Sequence, residues 1–146
     1  MARILVGYDG SDGGRRALER AAAEARKSHA QITVLSVVSM PLDPTEPRYF
    51  GTLDDIGRDE GAPLSPPPDV VAHLTEAREV LAAAGVDADL AWAAGEPGRE
   101  IVDTAKRIHA RTIVLGEHHH GLLSGLFGAD VDAEVQREAG CDVILA

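Results

Sequence analysis

Two apolar runs that break at glycine carry the residues best suited to hold a ligand, and they lie at opposite ends of the 146-residue chain. The first, Arg3-Ile4-Leu5-Val6-Gly7-Tyr8, opens into Asp9-Gly10-Ser11. The second, Thr112-Ile113-Val114-Leu115-Gly116, opens into Glu117-His118-His119-His120 and reaches Gly128-Ala129 further on. A carboxylate such as Asp9 either accepts hydrogen bonds from a ligand or holds the backbone of its own turn. Glycine lets backbone N–H groups close on an anion, and a helix opening at Gly128-Ala129 presents free N–H groups to one. These residue types bind; they do not break bonds. Ser11 and Ser124 have no motif around them, the loop lacks a lysine for a terminal phosphate, and no carboxylate pair marks a Mg²⁺ site. The chain is therefore not expected to be an enzyme.

The three histidines invite a metal, since imidazole suits zinc, copper or nickel, and His118 and His120 share one side of an extended loop beside Glu117. Consecutive histidines are not the spacing of a closed structural site, and no second Cys or His cluster supports one, so no metal is assigned. Their pH response is the gentler expectation. Imidazole becomes cationic on acidification, and the loop would then attract an anion it otherwise tolerates poorly.

These groups need a scaffold, and the pattern between them supplies one. Residues 3–8, 31–38, 86–92, 111–115 and 141–145 are short, apolar and often β-branched, which predicts five strands. Between them, Ala17, Leu18, Ala21, Ala22 and Ala25 recur at helical spacing, as do Val70, Val71, Leu74, Ala77, Leu81 and Ala84, then Ile101, Val102, Ala105 and Ile108, then Val131 and Val135. Ser11 or Asp12 is placed to cap the first helix, and Gly85 and Gly140 to end the second and fourth. The 86–92 strand alternates and is expected to be exposed on one face or to lie at an edge. Strands alternating with helices predict a parallel sheet covered on both faces. In such sheets ligands sit beyond the carboxyl ends of the strands, where Asp9 and Gly116 both fall.

The excursion at 39–68 breaks the pattern. It holds seven of the eight prolines with Gly51, Gly57 and Gly61, and is expected to be a surface excursion, either partly disordered or forming a flap, with Arg48-Tyr49-Phe50 available to pack it locally. The length otherwise suits a single domain over residues 1–146. With only five aromatic residues, the core must be Ala, Val, Leu and Ile. A net charge of −10 argues against nucleic acid as partner. No apolar run approaches the roughly 20 residues of a membrane span, and no signal peptide is evident. The lone Cys141 excludes an internal disulfide, so a cytoplasmic setting is expected. Twelve arginines against two lysines fit either a salt-rich cytoplasm or a GC-rich genome.

The order and spacing of Ile4 to Ser11 with Ala17-Leu18, Gly95-Glu96-Pro97, Ile113 to Gly116 and Glu138 to Leu145 resemble the universal stress protein family. That resemblance covers nearly the whole chain outside 39–68. It implies a three-layer α/β/α fold of the adenine nucleotide alpha hydrolase-like kind, with a five-stranded parallel sheet ordered 3-2-1-4-5. It also implies stress-response work, a homodimer paired through the terminal strand 141–146, and an ATP or AMP cleft in many members. Carried onto this sequence, the cleft would be lined by Asp9, Val38, Gly95, Gly116, His118, Gly128 and Ala129. The ATP-binding pattern spaces three glycines and follows the last with Ser or Thr. Gly116 and Gly128 match it, but counting back ten from Gly128 lands on His118, and Ala129 replaces the hydroxyl. The run Gly116, His118-His119, Leu122-Leu123, Ser124, Leu126 also resembles the branch that does not bind ATP. The expectation is a dimeric interaction module, with an unidentified protein as partner and an altered nucleotide cleft. The alternative is an ATP- or AMP-sensing module.

Overall fold

The computed structural model describes residues 2–39, 49–52, 66–117 and 129–146. Strands β1 (Arg3–Gly7), β2 (Gln31–Ser39), β3 (Tyr49–Thr52), β4 (Ala88–Gly95), β5 (Thr112–Leu115) and β6 (Asp142–Leu145) form one sheet. Helices α1 (Asp12–Ser28), α2 (Pro68–Ala83), α3 (Pro97–Arg107) and α4 (Ala129–Glu138) connect them. The sheet order is β3-β4-β2-β1-β5-β6. All pairs are parallel except β3 with β4. Counting only the parallel strands in chain order gives 3-2-1-4-5, the order the family resemblance implies.

Strand residues alternate between two cores. Ile4, Val6, Ile32, Val34, Leu90 and Trp92 point to one face, where the stripes of α1 (Ala17, Leu18, Ala21) and α2 (Leu74, Ala77, Leu81) cover them. Leu5, Leu35, Val37, Ala91 and Ile113 point to the other, against Ile101, Val102 and Ala105 of α3 and Val135 of α4. Both faces are buried, which explains why the strands read as unbroken apolar runs. Each fully buried Leu or Ile contributes about 1.5–3 kcal/mol relative to exposure. The alanines of α1 carry little of that area themselves, but they let the helix approach the sheet closely.

Three expectations need correction. The sheet has six strands, not five, because residues 49–52 within the supposedly irregular 39–68 stretch add an antiparallel edge strand. Its Tyr49, Phe50 and Thr52 have strand-forming side chains, and β4 offered an unpaired edge. The 86–92 strand is shifted to 88–95, and from Leu90 onward every residue is buried, because helices cover both faces and β3 pairs along Ala91 to Ala94. Its small alanines hide a buried strand from an alternation test. The last strand, expected over 141–145, begins at Asp142, and Cys141 before it is partly exposed. The rest of the 39–68 stretch, apart from residues 66–68 at the entry to α2, lies outside the described residues.

Candidate functional site

Along the carboxyl rim of the sheet, the chain leaves β4 at Gly95, β2 at Ser39, β1 at Tyr8-Asp9 and β5 at Gly116. Val38 pairs with Ala94 and Ser39 with Gly95, so the ends of β2 and β4 are level. Strand order reverses at β1: the chain proceeds outward through β2 to β4, then returns to β5 on the other side. Ligands of open α/β sheets bind at such a reversal.

The turn after β1 is built by its own polar groups. Asp9 Oδ1 accepts from the Ser11 N–H at 3.0 Å and from the Ser11 hydroxyl at 2.5 Å. Ser11 in turn caps α1, its hydroxyl accepting from the Gly14 N–H at 3.0 Å. Gly10 takes φ +82°, which only glycine adopts at little cost. The helix starts on two glycines that bring backbones together. A methyl at Gly14 would stand 2.9 Å from the Tyr8 ring and 3.2 Å from Asp9 Oδ1. A methyl at Gly116 would fall inside the backbone of Gly13. Gly116 therefore lies directly against the start of α1, and the Arg16 guanidinium donates to the Glu117 carbonyl at 3.3 Å.

Beside this turn, three elements meet at one oxygen. Glu76 Oε1 on α2 accepts from the Tyr8 hydroxyl at 2.5 Å and from the Arg15 guanidinium at 2.7 Å. Burial and then the Glu76 carboxylate push the Tyr8 phenol up to about 12. Those same hydrogen bonds, Tyr8 first and Arg15 second, hold the Glu76 carboxyl below its ordinary range. Glu76 in turn holds the Arg15 guanidinium above its ordinary value. His73, one helical turn before Glu76, meets the Tyr8 ring edge-on with centroids 6.2 Å apart. A methyl on Gly10 would approach His73 Nε2 to 2.7 Å. The Arg15 and Glu76 side chains are 55% and 39% exposed, so water screens the ion pair and it adds little to global stability.

Of the residues named from sequence, Asp9 and Gly116 are brought together across the Gly13 contact, at the ends of adjacent strands. Val38 and Gly95 sit on the same rim, on β2 beside β1 and on β4 beyond it, the farther about 10 Å from β1 at the usual strand spacing. Val38 packs partly buried on the α1–α2 side, and Gly95, at φ +150°, lies against the buried Glu100 side chain. Ala129 is the first residue of α4. His118 and Gly128, with the whole His118–His120 metal question, lie outside the described residues. Among the described residues no group of three potential ligands is placed to hold a metal ion. Sequence reasoning passed over Gly13, Gly14, His73 and Glu76. Two glycines in the first turn of a helix cost about 1 kcal/mol each against alanine, which was a signal of close backbone approach. Nothing in the sequence pointed from Tyr8 to a carboxylate 68 residues away.

A sequence model of the Universal stress protein family matches residues 1–146. The chain is 28% identical over 154 aligned positions to universal stress protein YxiE of Bacillus subtilis, covering 98% of this chain and 97% of that one. It also superposes on a universal stress protein crystallised with cAMP, with a TM-score of 0.70 and 27% identity, covering 99% of this chain and 95% of that one. A universal stress protein of Archaeoglobus fulgidus matches with a TM-score of 0.68 and 25% identity, over 99% of this chain and 93% of that one.

Proposed function

The chain belongs to the universal stress protein family, and from that premise we propose that it is a non-catalytic, cytoplasmic stress-response module. It works as a homodimer and reads an adenine nucleotide in the rim cleft between Asp9 and Gly116, with a weakened grip on polyphosphate. One observation carries this reading: the Gly13–Gly116 apposition at the strand-order reversal brings the end of β5 against the helix start that follows the Asp9 turn. The relative of similar fold at 27% identity that was crystallised with cAMP supports the choice of a nucleotide. Asp9 serves the ribose or base end, and Val38 and Gly95 border it. At the phosphate end, the start of α4 at Ala129 offers the N–H groups of a helix N-terminus to one phosphate. His118 in place of glycine, Ala129 in place of a hydroxyl residue, and the nearby Glu117 charge all weigh against three phosphates. The homodimer forms at β6, whose Val143, Ile144 and Leu145 are half-exposed on an open sheet edge.

Calorimetry with AMP, cAMP and ATP tests the cleft. AMP or cAMP should bind at least as tightly as ATP, and binding should fall when Asp9 is changed to Ala. ATP binding about tenfold tighter than AMP would overturn the weakened phosphate grip. Those same departures at His118 and Ala129 favour a second reading, in which the cleft is vestigial and the dimer works by protein interaction alone. No binding of any of the three at millimolar nucleotide would select it.

A further inference from the structure

We propose that Glu76 is the positioning residue of the Asp9 turn: from α2 it ties down both ends of the segment Tyr8–Arg15, and His73 presses on its middle. The two ends are held by one carboxylate oxygen, which accepts from the Tyr8 hydroxyl just before Asp9 and from Arg15 in the first turn of α1. Between them, Gly10 lies under His73 Nε2, on the same face of α2. A segment held at its start and end, with an imidazole standing beside its middle, has little freedom to change curvature. Within it, the Asp9 carboxylate is oriented through its bonds to Ser11. Because the Arg15–Glu76 pair is largely exposed, it contributes little to global stability. Its effect is concentrated in the local shape of the turn. Nucleotide affinity then depends on where α2 sits, through residues that do not touch the nucleotide. This last step rests on the cleft proposed above; the restraint of the turn does not.

The test compares wild type, Glu76→Ala and Glu76→Gln by amide hydrogen exchange and by calorimetry with AMP. Glu76→Ala should lose about tenfold in exchange protection at the Ser11 and Gly14 amides while the β2 and β5 amides keep theirs. AMP affinity should fall about fivefold in parallel, and Glu76→Gln, which keeps an acceptor for the Tyr8 hydroxyl, should recover most of both. Equal protection at Ser11 and Gly14 in wild type and Glu76→Ala would overturn the proposal. So would a uniform loss across β2 and β5, which would reduce Glu76 to a general stabiliser. If the turn loosens but AMP affinity is unchanged, the claim that α2 governs affinity is wrong. If wild type binds no nucleotide, the cleft proposal fails, while the exchange measurement still decides whether Glu76 restrains the turn.

Discussion

At the scale of single residues, two positions make sharp demands. Gly116 has no room for a side chain because the Gly13 backbone already occupies it. Gly116→Ala should force the β5 loop away from α1, destabilise the fold by about 1–3 kcal/mol in urea titration, and weaken any ligand bound between them. An unchanged midpoint and affinity would show that the two backbones are not in contact. The second demand is ionic. Glu76 ionises more readily in the folded chain than in the unfolded one, so its contribution is present above the ordinary carboxylate value of about 4.3 and fades as pH falls through its lower folded value. Tyr8 behaves oppositely. Its phenol, near 10 when unfolded and about 12 when folded, favours the fold below the unfolded value, and that benefit is lost as pH climbs toward the folded one. Phenolate absorbance should therefore show one late-titrating tyrosine that disappears in Tyr8→Phe, and that variant should lose about 1 kcal/mol at neutral pH. A Tyr8 titrating at its unfolded value would mean that its hydroxyl is not buried against Glu76.

At the scale of elements, β3 explains why β4 can be so thoroughly apolar. Residues 49–52 pair along Ala91 to Ala94, with Gly51 opposite Trp92, which is only 2% exposed. Replacing residues 49–52 with a flexible Gly/Ser segment should uncover this edge, shift Trp92 emission to longer wavelength and admit a soluble quencher. Emission identical to wild type would mean that β3 does not shield it. This strand also marks where sequence reading stopped. The helices and the five parallel strands were legible because periodicity and β-branched runs are written locally, and Ser11 and Gly85 fell where the capping rules put them. The order of the parallel strands came from family likeness rather than from any local pattern. β3 was not legible, because four residues among prolines and glycines carry no period, and its reason to form is an edge supplied by a strand about 40 residues later. The site divides the same way. Asp9 and Gly116 were visible as strand ends, whereas His73 and Glu76 look like any exposed helix face until the fold sets them over the turn.

At the scale of the whole molecule, charge and shape act together. A chain of net charge −10 repels its own copies, so a homodimer joined at β6 should tighten as added salt screens that repulsion. Sedimentation at rising salt should show this, and Ile144→Lys should leave a monomer at micromolar concentration. A monomeric wild type at high salt would contradict the proposed assembly. The two margins of the sheet are also unequal. One margin is β3, antiparallel to its neighbour, while the other is β6, parallel to its neighbour. A copy that docks at β6 by two-fold symmetry pairs that margin of both partners and leaves the four-residue β3 at each outer margin of the joined sheet. That outer strand is short and carries Gly51, which makes it a poor template for another chain, so this sheet can couple to a twin while offering little to a growing fibre.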